Sequence, residues 1–412
     1  MSDGKTFIAG VGITRFDKQP EKSVKDLVRD AVTQALADAG CDAADLQAAY
    51  FATAGQGPIE GQYMVAGQVA LKVMGIVGIP VTNIENACAS SSTALNAAHL
   101  YVESGAGDIC LAVGVDKLYA EDKAKSFAVF DGAWDVHDAP AQMARLMALA
   151  PDVTPPPGFE EPGKRSVFMD IYASLARLHM KTFGTTQRQL AAVAAKNHMH
   201  STRNLLAQFQ YPLTIDEALA ARPVSWPLTL PMCAPISDGA AAAIVCNAQG
   251  LKRLREARAV RLYASVLRTA TDRPADRYDR HLCHLAALEA YERAGVGPQD
   301  MSLAEVHDAT AFAEIQQTEA LGFCAFGEGG LLAESGATSL GGRIPINVSG
   351  GLLSRGHPIG ATGLAQVHEM VVQLRGEAGA RQVDGARFAI AENGGGFNGV
   401  EEAVTCITLL GH

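Results

Sequence analysis

The sequence predicts a layered α/β protein built from two similar halves with one insertion, and three patterns carry that expectation. Strand-like runs alternate with amphipathic helical runs over most of the 412 residues, as in stacked sheet and helix layers. Two stretches repeat one another, "DLVRDAVTQALADAGCDAADLQAAYFATA" from Asp26 and "HLCHLAALEAYERAGVGPQDMSLAEVHDATA" from His281. Gly40 aligns with Gly295 and Asp45 with Asp300 at one offset (295 − 40 and 300 − 45 both give 255), as in a duplicated unit. Between residues 118 and 235 the alternation breaks down, which marks an inserted segment.

Each half can be followed in order. "TFIAGVGIT" is a first strand, followed by an amphipathic helix that ends in Ala-Gly, an Asp-containing turn and a second strand. A β-branched run at 79–84 precedes "NACASSSTALNAAHLYVESG", a small-residue loop that opens a helix, and "DICLAVGV" is the strand after it. The insertion contains a proline-rich loop at 148–165 and two helical runs, "SVFMDIYASLARLHMKTFG" and "TTQRQLAAVAAKNHMHS". "SDGAAAAIVC" then resumes the core as a strand small enough to pack tightly between helices. The second half repeats the order, with strand "AVRLYASVLR", the helix after His281, the loop and helix of "GHPIGATGLAQVHEMVVQLRGEAG", and strand "ARFAIAEN". The expected division is residues 1–258, with the insertion at about 118–235, and residues 259–412.

Composition narrows the function classes. With 48% apolar and 19% charged residues the chain is an ordinary globular protein, and its 41 glycines imply many tight turns. A formal charge of −10 argues against a dedicated nucleic-acid or membrane-surface binder. The eight cysteines are scattered without a CxxC pair, so neither a disulfide framework nor a zinc site is expected, and a reducing compartment is. The N-terminus lacks a basic-then-apolar signal, no uncharged run reaches membrane-spanning length, and "ITLLGH" carries no peroxisomal address. The expectation is a soluble, cytoplasmic protein that binds no metal, nucleic acid or membrane.

Candidate chemistry lies in the loops. Cys88 sits in "ENACASSSTAL" between a strand-like run and a helix. A free cysteine is commonly core filler, but a helix N-terminus also stabilises a thiolate; these residues alone leave both readings open. His99, His281, His284 and His368 fall on helix faces as packing or surface residues, and His198 with His200 forms a local hydrogen-bonding cluster. His307 in "EVHDAT" and His357 in "SRGHPIGATG" instead sit in loops at strand ends, where α/β enzymes place chemistry. In duplicated halves such loops meet near the pseudo-dyad, together with the glycine run of "AENGGGFNG".

"NACASSSTALNAAHLYVESGAGDICLAVGVDK", "KNHMHSTRNLLAQFQ", "CAPISDGAAAAI", "LGFCAFGEGG" and "INVSGGLLSRGHPIGATGLAQVHEMVVQLRGEAGARQVDGAR" span nearly the whole chain. In these segments the sequence resembles the thiolase superfamily, in its sterol carrier protein branch, ending about where such a thiolase without the sterol-carrier domain should end. The resemblance implies a five-layer αβαβα fold with two similar halves and an inserted loop domain. It implies thiolysis or Claisen condensation of 3-oxoacyl-CoA, with no bound cofactor and with coenzyme A as a substrate. Residue by residue, Cys88 matches the acyl-accepting nucleophile and His357 the histidine that activates it and helps hold the thioester oxygen. His307 matches the histidine of an HDCF motif lining the first oxyanion hole. The N–H groups of Cys88 and Gly394 match the second, and Ser237 a loop near the pantetheine. A homodimer or homotetramer is also implied. The assignments are physically coherent, because acyl transfer needs a soft nucleophile and donors preorganised for developing oxyanions.

The sequence departs from the pattern at the second cysteine, the usual acid/base. Ala309 takes its place in "HDAT", and Glu392 takes the alternative place in "ENGGG". A carboxylate could serve there if burial raised its pKa toward neutrality, so Glu392 is the expected acid/base. Retro-aldol cleavage of a 3-hydroxyacyl-CoA is a competing activity, which retention of Cys88 disfavours. A lipid-binding or scaffold subunit working with a small partner protein is the non-enzymatic alternative.

Overall fold

The computed structural model describes residues 5–160, 163, 165–254 and 258–412. In chain order the main elements are β1 (Thr6–Ile13), α1 (Val24–Ala39), β2 (Ala48–Ala52), β3 (Val81–Ile84), α2 (Ser90–Glu103) and β4 (Ile109–Lys117). The inserted helices are α3 (Lys123–Asp131), α4 (Ala139–Met147), α5 (Val167–Phe183) and α6 (Gln187–Ser201). There follow β5 (Asp238–Asn247), β6 (Val260–Thr269), α7 (Leu282–Ala294), β7 (Leu303–Glu305), α8 (Ala311–Ala320), α9 (Thr362–Leu374), β8 (Phe388–Gly395) and β9 (Val404–Gly411). Among the described residues, no helix is long and apolar enough to cross a membrane.

The nine strands pair in the order β3-β2-β4-β5-β1-β6-β9-β8-β7. Read outward from the antiparallel β1–β6 contact, the two sides mirror each other. One side runs β1, β5, β4, β2, β3; the other runs β6, β9, β8, β7 and then Ile346, which bridges Ala304. Helices α2 and α9 touch each other and the strands of both halves, whereas α1 packs on β1 and β5 and α7 on β6 and β9. The layers are therefore helix, half-sheet, paired central helices, half-sheet, helix, the five-layer αβαβα arrangement that the resemblance implies.

Strand alternation explains the layering. Cys110, Ala112, Ala241, Ala243 and Val245 face the central core with Leu95, Leu364 and Val367. Their neighbours Ile109, Leu111, Val113, Ala240, Ala242 and Ile244 face the outer core under α1. Both faces of each strand are apolar because both are covered. Close approach demands the smallest residues: a Cβ on Gly12 would lie 2.1 Å from the Ala31 carbonyl oxygen of α1. Helix α1 starts on a Ser23–Asp26 capping box and stops at Gly40, whose φ of 60° is left-handed.

The segment between β4 and β5 contributes to a third core, where Leu146, Ile171, Leu190 and Val193 pack with Phe312 and Ile315 of α8 and with Leu352 and Leu353 ahead of α9. Part of the proline-rich loop, residues 161, 162 and 164, lies outside the described residues. All eight cysteines are free thiols.

Candidate active site

Cys88 is held two residues ahead of α2 by a stapled loop. Ala87 takes a left-handed φ of 47°, which costs a non-glycine residue strain of roughly 1–3 kcal/mol. Hydrogen bonds over-determine the turn: Ala87 N–H donates to Glu85 Oε1 (2.6 Å), Ser90 Oγ to the Ala87 carbonyl (2.6 Å) and Asn86 N–H to Ser90 Oγ (2.9 Å). The glycine run of β8 closes on this loop. A Cβ on Gly395 would lie 2.2 Å from the Asn86 carbonyl oxygen, so only glycine fits. The neighbouring Gly396, not Gly394, stands on the pocket wall, and its N–H faces the Cys88 sulfur. A side chain at Gly394 would run into Glu402.

The two histidine loops are tied together beneath the site. The Asp308 carboxylate accepts from Leu352 N–H (2.7 Å), Leu353 N–H (3.3 Å) and Asn197 Nδ2 (2.8 Å). It thereby anchors the loop bearing His307 to the helical turn Gly351–Arg355 that leads into His357. Ser237 Oγ accepts from His357 N–H (2.9 Å) and donates to Gln208 Oε1 (2.6 Å). Ser237 is buried and absent from the pocket wall, so it holds His357 in place; Cys233, Ala234, Pro235 and Ile236 face the cavity instead.

Cys88 Sγ and ring nitrogens of His307 and His357 lie within 4.8 Å of one another, and the two rings meet edge to face at 5.2 Å. The Thr362 hydroxyl donates to the Pro358 carbonyl (3.0 Å), so it accepts from His357 Nδ1 at 2.7 Å. That fixes the proton on Nδ1 and leaves the Nε2 lone pair as a base. His307 is buried, and neither of its ring nitrogens has a hydrogen-bond partner among the described residues. Two orphaned polar atoms at a pocket wall are places for ligand oxygens. A thiol and two imidazoles could also hold a soft metal ion.

Burial sets the protonation. It drives His307 down to about 3, and with neighbouring His307 and Arg355 it holds His357 well below the ordinary histidine value. Burial, then the charge of Asp116, pushes the Cys88 thiol up, outweighing the amides of Cys88 and Gly396. Burial therefore favours a neutral thiol beside neutral imidazoles, opposing the helix N-terminus, which favours a thiolate. Asp116, at the end of β4, accepts from Thr53 Oγ1 (2.6 Å), Gly55 N–H (2.8 Å) and Gly360 N–H (2.6 Å). It joins the cavity rim to the segment after His357. Its signal in the sequence is an acid closing an otherwise apolar strand.

Glu392 stands behind the pocket rather than in it. Its carboxylate accepts from His307 N–H (3.1 Å), Thr405 Oγ1 (3.1 Å) and the Cys283 thiol (3.5 Å). Burial raises it to about 7, as expected for a buried acid, but its oxygens are spent on positioning His307 and it does not line the cavity. The cavity, about 450 Å³, is walled by Phe127, Phe130, Phe168, Met169, Tyr172 and Ile236 around the Cys-His-His group, with Arg165 and Arg222 also on the wall. Among the histidines set aside, His200 bridges the Asn347 carbonyl (3.0 Å) and Leu340 N–H (3.0 Å), and His281 caps α7.

The family models described as thiolase, N-terminal domain, and thiolase C-terminal domain-like match residues 7–219 and 273–408. An acetyl-CoA acetyltransferase of Methanothermobacter thermautotrophicus is 38% identical over 396 residues, covering 95% of this chain and 96% of that protein. A sterol carrier protein 2 of Gallus gallus is 36% identical, over 94% of this chain and 69% of its own length. The benzoylsuccinyl-CoA thiolase subunit BbsB of Thauera aromatica is 33% identical, over 92% and 91%. A solved structure titled Ltp2-ChsH2(DUF35) aldolase superposes with a TM-score of 0.78 at 22% identity, over 99% of this chain and 98% of that one, a likeness of fold.

Proposed function

Because this chain belongs to the thiolase family of acyltransferases, we propose that it cleaves or forms 3-oxoacyl-CoA through an acyl-enzyme on Cys88, with coenzyme A as a substrate and no resident cofactor. The observation that carries the proposal is the convergence of Cys88, His307 and His357 in one cavity, with both His307 nitrogens without a partner among the described residues. As the sulfur attacks the 3-oxo carbonyl its proton passes to His357 Nε2, the atom that Thr362 leaves free. The developing oxyanion meets the N–H groups of Cys88 and Gly396. His307, neutral, donates to the enolate oxygen of the departing acetyl unit. Each such donor contributes on the order of 100- to 1000-fold in rate. Glu392 serves as the residue that positions His307 through its amide.

The test is intact-mass measurement after incubation with acyl-CoAs of graded chain length. A single adduct mapping to Cys88 supports the proposal, and no adduct with any acyl-CoA sinks it. The proposal divides the chain into halves 1–258 and 259–412, supported by the mirrored strand order; residues 255–257 at that boundary lie outside the described residues. It places the protein in the cytoplasm on the strength of eight unpaired thiols. It includes a homodimer or homotetramer, because among the described residues edge strand β3 has no outer partner and exposed Tyr63, Met64, Val73 and Val77 leave apolar surface uncovered. Light scattering should give at least twice 43.2 kDa. The alternative, an acyl-transferring or lipid-binding subunit that needs a small partner protein, is favoured only by the two-component title of the solved neighbour, and co-purification tests it.

A further inference from the structure

Carbon–carbon chemistry at this site requires a group that moves the α-carbon proton, and neither Ala309 nor the engaged carboxylate of Glu392 can do so from where it stands. The cavity wall nevertheless carries a second thiol. Cys233 lines it together with Cys88, His307, His357 and Ala309. Its backbone is locked beside the vacated position: Cys233 and Thr310 form an antiparallel bridge, and Ala234 N–H donates to the Ala309 carbonyl at 3.0 Å. A thiol from a segment 76 positions earlier in the chain (309 − 233) thus stands next to the alanine where a cysteine would have supplied the acid/base. An independent observation points to a ligand in the same cavity: the buried His307 ring, on the same wall, has nitrogens with no partner among the described residues.

We infer that Cys233 is the acid/base that gives the α-carbon its proton in thiolysis and removes it in condensation; this rests on the Cys88 acyl-enzyme proposed above. Among the described residues its thiol donates one long hydrogen bond, to the Thr229 carbonyl at 3.5 Å, a weak bond that a stronger acceptor in the cavity can displace. Burial pushes it up to about 12, which keeps it protonated in the empty cavity, as an acid facing a carbanion must be. Other wall groups are less suited. Glu85 is engaged by the Ala87 amide at 2.6 Å, and burial holds the Tyr172 phenol well above its ordinary value.

The proton count closes. In thiolysis the Cys88 sulfur bonds to C3 while its proton moves to His357, the C2–C3 bond breaks, and its electron pair stays with C2 as the acetyl-CoA enolate. Cys233 S–H protonates C2 and becomes a thiolate, and acetyl-CoA leaves. The Cys233 thiolate takes the proton of incoming coenzyme A, whose sulfur attacks the Cys88 thioester. The Cys88–carbon bond breaks and the imidazolium of His357 returns its proton to Cys88. Nothing is oxidised or reduced.

The experiment compares wild type, Cys233→Ser, Cys233→Ala and Tyr172→Phe in the full chain. Acetylation of Cys88 by acetyl-CoA is followed by intact mass, acetoacetyl-CoA thiolysis by absorbance, and deuterium uptake into acetyl-CoA in D2O by mass spectrometry. In both Cys233 variants acetyl-CoA should still acetylate Cys88 to the wild-type extent, though more slowly because the leaving coenzyme A thiolate loses its proton donor, while thiolysis and deuterium uptake fall by about 100-fold or more, the usual contribution of a general acid/base. The serine variant keeps the side-chain shape, so a normal melting temperature beside lost exchange separates proton transfer from packing. Thiolysis within tenfold of wild type in Cys233→Ser would overturn the inference while leaving the Cys88 acyl-enzyme intact. Loss of exchange in Tyr172→Phe with exchange kept in Cys233→Ser would overturn it in favour of the phenol. Absence of any Cys88 adduct in wild type would overturn both proposals.

Discussion

Replacing Thr362 with valine removes one hydroxyl and keeps the shape, which isolates the atom that sets the tautomer of His357. In the native site the His357 Nδ1–H donates to Thr362 Oγ1 at 2.7 Å, and the hydroxyl passes its own hydrogen to the Pro358 carbonyl. Valine leaves a buried N–H without an acceptor, a state that costs about 1–3 kcal/mol. The ring escapes that cost by moving its proton to Nε2, and an Nε2–H cannot accept the proton of Cys88. At about 1.4 kcal/mol per tenfold, the active tautomer falls by roughly 5- to 150-fold. Cys88 acetylation should slow by that factor in a single-turnover measurement with rapid quench and intact mass. Thr362→Ser, which keeps the hydroxyl, should recover most of the rate. Acetylation within twofold of wild type in Thr362→Val would refute the assignment of His357 Nε2 as the base.

Two further outcomes follow from packing and burial. Gly12→Ala should destabilise the protein by about 1–3 kcal/mol in chemical denaturation, because its Cβ would meet the α1 backbone at 2.1 Å; an unchanged midpoint would contradict the close strand–helix approach. Glu392→Gln should become more stable relative to wild type as pH rises from about 5 to 8. Burial raises the folded carboxyl from 4.5 to about 7, so the folded state binds the extra proton. The ionisation penalty is absent below about 4.5, grows through the interval and is complete above 7, where it amounts to roughly 3 kcal/mol. Denaturant midpoints that keep the same spacing at both pH values would rule out a Glu392 that titrates near neutrality, and a variant that no longer acylates Cys88 would show that the amide cannot hold His307.

Local pattern carried the architecture. Strand-like and helical runs follow from local composition and the repeat from a constant offset of 255, so the alternating α/β layers and the helices at Val167–Phe183 and Gln187–Ser201 were legible in the sequence. Cys88, His307 and His357 were legible for a similar reason: each sits in a loop whose small residues and glycines announce a strand end, and the mirrored halves bring those loops together. Which way a side chain faces is a different kind of fact. Glu392 and Ser237 belong to conspicuous motifs, yet tertiary packing turns both behind the cavity, one to hold the His307 amide and the other the His357 amide. Gly396 rather than Gly394 stands on the cavity wall, because Gly395 between them closes on the Asn86 carbonyl and Gly394 faces Glu402. Cys233 read as one scattered thiol among eight; the isolated bridge of its backbone to Thr310 holds it on the wall of the site. Protonation was equally non-local. A helix N-terminus argues for a thiolate from sequence alone, but desolvation and the charge of Asp116, 28 positions from Cys88 (116 − 88), favour a neutral thiol. Sequence determines which residues are available to the chemistry; the enclosing fold decides which of them meet the substrate and in what charge state, because orientation and desolvation are properties of everything packed around a residue.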